Sequence, residues 1–146
     1  MVEKSKPSVH FFFQGINPRL KNRKRLKDFI ILLFKKEGKN LENLNYIFCS
    51  DDYLLEINKK YLGHNFYTDI ITFELHENEE PIIADIYISQ DRVRDNVRLL
   101  DESFQTELHR VIFHGALHLC NYDDKSMKGK SNMTKREDHY LRKYFS

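Results

Sequence analysis

The chain has no Trp and only two Cys in its 146 residues. Two cysteines cannot build the disulfide framework of a small secreted scaffold. Cys49 falls in a predicted strand, so both thiols read as free and buried in a reducing compartment, and a cytoplasmic location is the expectation. No apolar run approaches the roughly 20 residues of a membrane span. The first seven residues, Met-Val-Glu-Lys-Ser-Lys-Pro, lack the apolar segment of a signal peptide. Internal repeats and low-complexity tracts are also missing. A net charge of +2 is too small to identify a nucleic-acid partner, so the distribution of charge matters more than its sum.

What remains reads as one domain over residues 1–146, with 40% hydrophobic residues and 11 Phe to build a single core. Apolar runs predict strands over 9–14, 44–49, 69–75 and 81–89. Asn17-Pro18 predicts a helix start, Asn as cap and Pro in the first helical position. That helix runs to about Glu37, stops at Gly38, and buries Leu26, Phe29, Ile30, Leu33 and Phe34. Ser50 or Asp51 caps a second helix to about Tyr61, with Leu54, Leu55 and Ile57 inward. Asp91 caps a third helix to about Leu100. Asp101 or Ser103 caps a fourth, with Phe104, Leu108, Val111, Ile112 and Leu119 as its core stripe. A polar loop over 125–131 leads to a last helix from about Met133 to Tyr144, with Thr134-Lys-Arg-Glu137 as a capping box. Strand, helix, strand implies a right-handed crossover and a parallel pair. The polar tract 76–80 implies an antiparallel hairpin. The fold class is α+β: a four-stranded mixed sheet, β-α-β plus hairpin, packed with helices.

The chemistry concentrates between Phe113 and Asp124, Phe-His-Gly-Ala-Leu-His-Leu-Cys-Asn-Tyr-Asp-Asp. His114 and His118 stand one helical turn apart on one face, so their rings can converge on one ion. Asp124 follows across a turn at 120–122. Two imidazoles and a carboxylate leave one tetrahedral position open, the layout of a catalytic zinc site. Zinc is the first choice of ion and another divalent transition metal the second. The plain alternative is a surface helix with two solvated histidines. Zinc proteases with H-E-x-x-H-x-x-G-x-x-H share the spacing, but Gly115 stands where they have Glu and Asp124 where they have the third His. Asn121 takes the place of the turn glycine. Without the Glu base, peptide hydrolysis is disfavoured.

Other residues carry open alternatives. Arg110 shares the face of His114 and either holds a phosphate or pairs with Glu107. Asp123 either orients a ligand histidine or replaces Asp124. His109 lies off that face and reads as structural or solvated. Asp69 and Asp85 bound apolar strands and need partners if buried. Arg19, Lys21, Arg23, Lys24, Arg25 and Lys27 crowd the start of the first predicted helix, where cations oppose the macrodipole. Arg19, Arg23, Lys24 and Arg25, with Lys59 and with Lys125 and Lys128 after Asp124, are candidate RNA contacts; the alternative is a solvated face.

The run His114-Gly115-x-Leu117-His118-Leu119-x-x-Tyr122-Asp123 resembles the H-G-x-L-H-L-x-G-Y-D-H signature of the YbeY family of rRNA-maturation endoribonucleases. Asn58-x-x-Tyr61, Thr68-Asp69-Ile70-Ile71-Thr72-Phe73 and Asp85-Ile86-Tyr87-Ile88-Ser89 resemble its N-x-x-Y-R, T-D-V-L-S-F and G-D-I-x-I-S segments. They follow in order, from about Val9 to the C-terminus. The resemblance implies the same architecture, with a metal site on a helix near the C-terminus. It implies a metal-dependent, single-strand endoribonuclease of small-subunit (16S) rRNA 3′-end maturation and ribosome quality control. The implied partners are precursor rRNA and the small subunit or its assembly proteins, with no membrane and no DNA.

The chain departs from that pattern twice. Leu62 stands where the family has Arg, which removes a cation used on RNA; Lys59, Lys60 and His64 are candidate substitutes. Asp124 replaces the third His, leaving a less positive centre whose bound water is less acidic. Two other functions compete: a non-catalytic assembly or RNA-binding factor with a structural metal, and a metallopeptidase, which Gly115 disfavours.

Overall fold

The computed structural model describes residues 6–146. The expectation that no signal segment opens the chain falls largely on residues 1–5, outside the described residues. The elements are β1 (Ser8–Phe13), α1 (Arg23–Lys36), β2 (Leu41–Cys49), α2 (Asp51–Leu62), β3 (Ile70–Glu74), β4 (Ile82–Ser89), α3 (Gln90–Leu100), α4 (Phe104–Leu119) and α5 (Met127–Tyr144). The sheet order is β1-β2-β4-β3. β1 pairs with β2 in parallel, β2 with β4 in parallel, and β3 with β4 antiparallel. The four strands, the parallel pair and the hairpin are those the sequence predicts, and the class is α+β.

Alternation sorts the strand residues to two faces. Leu44, Tyr46 and Phe48 of β2 and Ala84, Ile86 and Ile88 of β4 face one core, closed by Leu26, Ile30 and Leu33 of α1 and by the apolar residues of α4. Cys49 of β2 and Ile71 of β3 meet Leu54 of α2 on the other face. The buried Tyr46 hydroxyl donates to the Ile112 carbonyl at 2.9 Å, which satisfies the phenol and ties β2 to α4. Cys49 and Cys120 are buried and unpaired, and burial pushes both thiols up to about 12. Among the described residues no helix is long and apolar enough to cross a membrane.

Gly115 decides where α4 lies. A Cβ there would stand 2.9 Å from Ile86 Cδ1 and 3.0 Å from Ile70 Cδ1. Its absence lets the helix settle onto β3 and β4, which leaves His114 and His118 facing a cleft walled by β3.

Several predicted boundaries move, each for a local reason. Asn17 does not cap α1; its Oδ1 accepts from Arg19 N at 2.9 Å. Arg19 and Asn22 have φ of 55° and 53°, left-handed values that cannot continue a helix. Residues 16–22 are therefore irregular and bury Leu20, and α1 begins at Arg23. Ser89, not Asp91, caps α3 by accepting from Arg92 N at 3.3 Å. Ser103 is the cap of α4. On α2, Leu55 and Ile57 are only half-buried and Asn58 is buried instead. α5 begins at Met127, capped by Ser126 Oγ, which accepts from Gly129 N at 2.9 Å. The predicted loop over 125–131 is thus mostly helix, and Thr134 to Glu137 is no capping box. Gly129 is needed there for closeness: a Cβ would sit 2.5 Å from the Asp123 carbonyl oxygen.

Candidate active site

His114 and His118 leave α4 one turn apart, and both line a cleft of about 270 Å³. Asn58 and Leu62 of α2, His64, Phe66 and Thr68 of the following loop, Ile70 to Thr72 of β3, and Asp124 complete its wall. Asp124 reaches it by a fixed turn. Asn121 takes φ of 73°, the left-handed position predicted for it. Tyr122 N donates to the Leu117 carbonyl at 3.1 Å, and the Tyr122 hydroxyl donates to Glu37 Oε1 at 2.7 Å. Glu37 also accepts from Arg136 Nη2 at 2.5 Å and from the Tyr140 hydroxyl. One carboxylate thereby joins the end of α1, the turn after α4, and α5.

His114 Nδ1 lies 2.7 Å from Glu137 Oε2. The carboxylate can only accept, so it draws the imidazole proton to Nδ1 and leaves Nε2 with its lone pair. Nε2 stands 3.3 Å from Asp124 Oδ2, long for a hydrogen bond. Burial opposes the imidazolium form, but Glu137, Asp124 and Asp69 outweigh it, and the His114 pKa lies above its ordinary value. His118 is the exposed member of the three. Among the described residues no three His, Cys, Asp or Glu side chains are already converged as a ligand set.

In the sequence Glu137 reads only as a capping residue, with no role at the site. Its signal is position: Met133, Glu137, Tyr140, Leu141 and Tyr144 are the buried residues of α5, and a carboxylate on that stripe needs a partner. Arg110 supplies one, with Nη1 at 3.4 Å from Glu137 Oε1 and 2.9 Å from Asp138 Oδ1. The same guanidinium lies 3.4 Å from Glu102 and 3.6 Å from Glu107. Arg110 thus makes the ion pair with Glu107 that was one of its two expected roles, within a ring of four carboxylates. Asp123 Oδ1 accepts from Lys125 N at 2.7 Å in a local turn; it is Glu137 that orients the histidine. His109 is buried, with Nδ1 at 2.6 Å from the Gln105 carbonyl and its ring stacked on Tyr144.

Among the described residues no Lys or Arg lines the cleft. Arg23 lies over Phe13 at 4.5 Å. Arg25 lies over Tyr144 at 4.2 Å and donates to its carbonyl. Lys59 pairs with Glu56 at 3.7 Å. Arg19, Lys24, Lys125 and Lys128 are exposed elsewhere. Lys60 Nζ stands 5.2 Å from the Tyr61 ring centre. Of the groups named around the missing cation, Leu62 and His64 do line the cleft. Asp69 lines a second hollow, which shares His114 and Asp124 with the cleft and adds Glu107, Arg110 and Glu137. Asp85 accepts from Asn45 Nδ2 at 3.0 Å.

A sequence model of the endoribonuclease YbeY family matches residues 16–145. The chain is 44% identical over 134 residues to endoribonuclease YbeY of Cytophaga hutchinsonii, covering 92% of this chain and 94% of that relative. It is 40% identical to endoribonuclease YbeY of Porphyromonas gingivalis, covering 91% and 87%. The solution structure of TM1509 from Thermotoga maritima is similar, with a TM-score of 0.63 and 28% identity over 94% of this chain and 89% of that one. Sequence and fold agree along nearly the whole length, and the chain belongs to the YbeY family of endoribonucleases.

Proposed function

We propose that the chain, as one domain, cleaves single-stranded RNA in small-subunit rRNA maturation, using one divalent ion held by His114, His118 and Asp124. Zinc suits two imidazoles and a carboxylate best. Precursor rRNA within the assembling small subunit is the partner, and two buried free thiols fit a cytoplasmic site of action.

The observation that carries this reading is the Glu137–His114 bond. A carboxylate on the far nitrogen of a ligand histidine fixes its tautomer and turns the near nitrogen toward an ion. The donors fit the group. Two corners of a tetrahedron with arms of about 2.0–2.1 Å are roughly 3.3 Å apart, and His114 Nε2 and Asp124 Oδ2 are separated by 3.3 Å. His118 is exposed, so its ring can turn to join them at little cost. A divalent ion held there supplies Lewis acidity toward a phosphoryl oxygen and toward water.

The chain's own residues bind and orient. Glu137 keeps the proton on Nδ1, and Arg110 balances the Glu137 charge. Asp124 is held by the Tyr122–Glu37 tie. Leu62, Ile70 and Ile71 give the cleft an apolar side. The negative charge added during phosphodiester attack meets no lining Lys or Arg among the described residues, so turnover is slow compared with Arg-bearing relatives.

Leu62 also favours a second reading, an RNA-binding assembly factor that no longer cleaves. A turnover assay on defined single-stranded RNA, paired with metal content by mass spectrometry, separates the two. His118→Ala is expected to lose most of the metal and the cleavage together. Metal-loaded protein that binds RNA without cleaving it leaves the second reading. Undiminished metal in His118→Ala removes the ligand assignment.

A further inference from the structure

We infer that Phe66, backed by His64, is a stacking platform for one unpaired RNA base at the mouth of the cleft, an inference that rests on the ribonuclease reading. Phe66 and His64 line the same cleft as His114 and His118. Their rings are stacked, with centres 5.1 Å apart and planes 21° from parallel. Phe66 is 56% exposed, so its ring is not there to fill the core.

The loop that carries the ring is fixed at each end and at the platform itself. α2 ends on Gly63 at φ 66°, and His64 N donates to the Asn58 carbonyl at 3.2 Å. Asn58, 2% exposed, donates its side-chain amide to the Phe66 carbonyl at 2.9 Å. The Tyr67 hydroxyl donates to Asp52 at 3.2 Å. A buried amide thus grips the backbone of Phe66 while the ring is left open. A ring held out this way loses little conformational freedom when something stacks on it.

An unpaired base is the occupant this chemistry fits. Every base has a π-face, so a phenyl platform accepts it without regard to sequence. A base inside a duplex is already stacked on both sides and cannot reach the ring, which gives the cleft a preference for open strands. Among the described residues no Lys or Arg lines the cleft, so side-chain cations add little to its local affinity, and stacking can add to whatever the ion supplies. Lys60 lies over the Tyr61 ring and is not among the residues that line the cleft.

The chain's lack of Trp makes the test specific. Phe66→Trp introduces one indole at the platform. Titration with an unstructured RNA oligonucleotide is expected to quench its emission, with the same midpoint as the anisotropy of end-labelled RNA. Duplex RNA is expected to leave the emission unchanged. Phe66→Ala is expected to weaken single-strand binding about ten-fold, by the same factor at low and high salt. Phe66→Ala with wild-type affinity, or saturating binding to Phe66→Trp with no change in emission, overturns the platform while the ribonuclease reading stands. Wild-type protein that neither binds nor cleaves RNA overturns both.

Discussion

Glu137 Oε2 accepts from His114 Nδ1 at 2.7 Å, across 23 residues and two helices. Removing that acceptor frees the ring to rotate and to exchange tautomers. Glu137→Ala is expected to lower metal affinity about 10–100-fold, measured by competition with a chelator of known affinity, and to lower cleavage with it. Glu137→Gln keeps an acceptor oxygen and is expected to retain part of both. Wild-type metal affinity in Glu137→Ala would take this residue out of the site.

Gly115→Ala tests packing rather than chemistry. The added methyl meets Ile86 Cδ1 at 2.9 Å and Ile70 Cδ1 at 3.0 Å. Overpacking of this kind costs about 1–3 kcal/mol, to be read from urea unfolding. Ile86→Val removes the nearest of the three crowding methyls and leaves Ile86 Cγ2 at 3.2 Å. The double variant is expected to be more stable than the sum of the single effects predicts. Simple additivity would place the cost of the alanine somewhere other than this contact.

Glu37 sets an acid limit to stability. Burial raises its pKa, but hydrogen bonds from Tyr140, Arg136 and Tyr122 and the Arg136 charge outweigh that, and the net shift is below the ordinary 4.5. Folding therefore favours the ionised form. That stabilisation is complete above the unfolded value and is lost as pH falls through the depressed folded one. Glu37→Gln is expected to cost about 1–3 kcal/mol at neutral pH, and the gap to wild type should close in acid. A gap that is constant across the acid range would show that the charge is not what matters.

Leu62 lines the cleft and is 44% exposed, so a longer side chain has room there. A preorganised cation in a water-excluded site is worth roughly 2–4 kcal/mol toward a transition state, and less where water screens it. Leu62→Arg is expected to raise single-turnover cleavage about ten-fold. Lys60→Ala is expected to change it little, since Lys60 lies at the Tyr61 ring and not in the cleft. The opposite pattern would assign the missing cation's role to Lys60.

The parts legible in the sequence were those with short-range causes. Strand runs, the one-turn histidine spacing, and Asn121 as a left-handed turn residue all follow from local geometry, and all three are present. The errors share a different cause, which is a tertiary contact disguised as local chemistry. Gly129 and its lysine neighbours look like a loop, yet the glycine is there because the Asp123 carbonyl presses on it. Placing α5 too late made Glu137 look like a capping residue and hid its bond to His114. The contacts of Arg23 and Arg25 were as hard to read from the sequence, for Phe13 and Tyr144 lie under their guanidinium groups. Charge on paper said nothing of those rings, one from β1 and the other from the end of α5.

β3 is five residues long, lies at the margin of the sheet, and has β4 as its neighbour on one side. It also carries Ile70, Ile71 and Thr72, the strand side of the cleft. A marginal strand can detach while the interior pair stays closed. Amide hydrogen exchange should therefore be slowest in β2 and β4 and faster along β3. The wall against which the histidines work is an edge of the sheet, so the cleft can widen there without global unfolding.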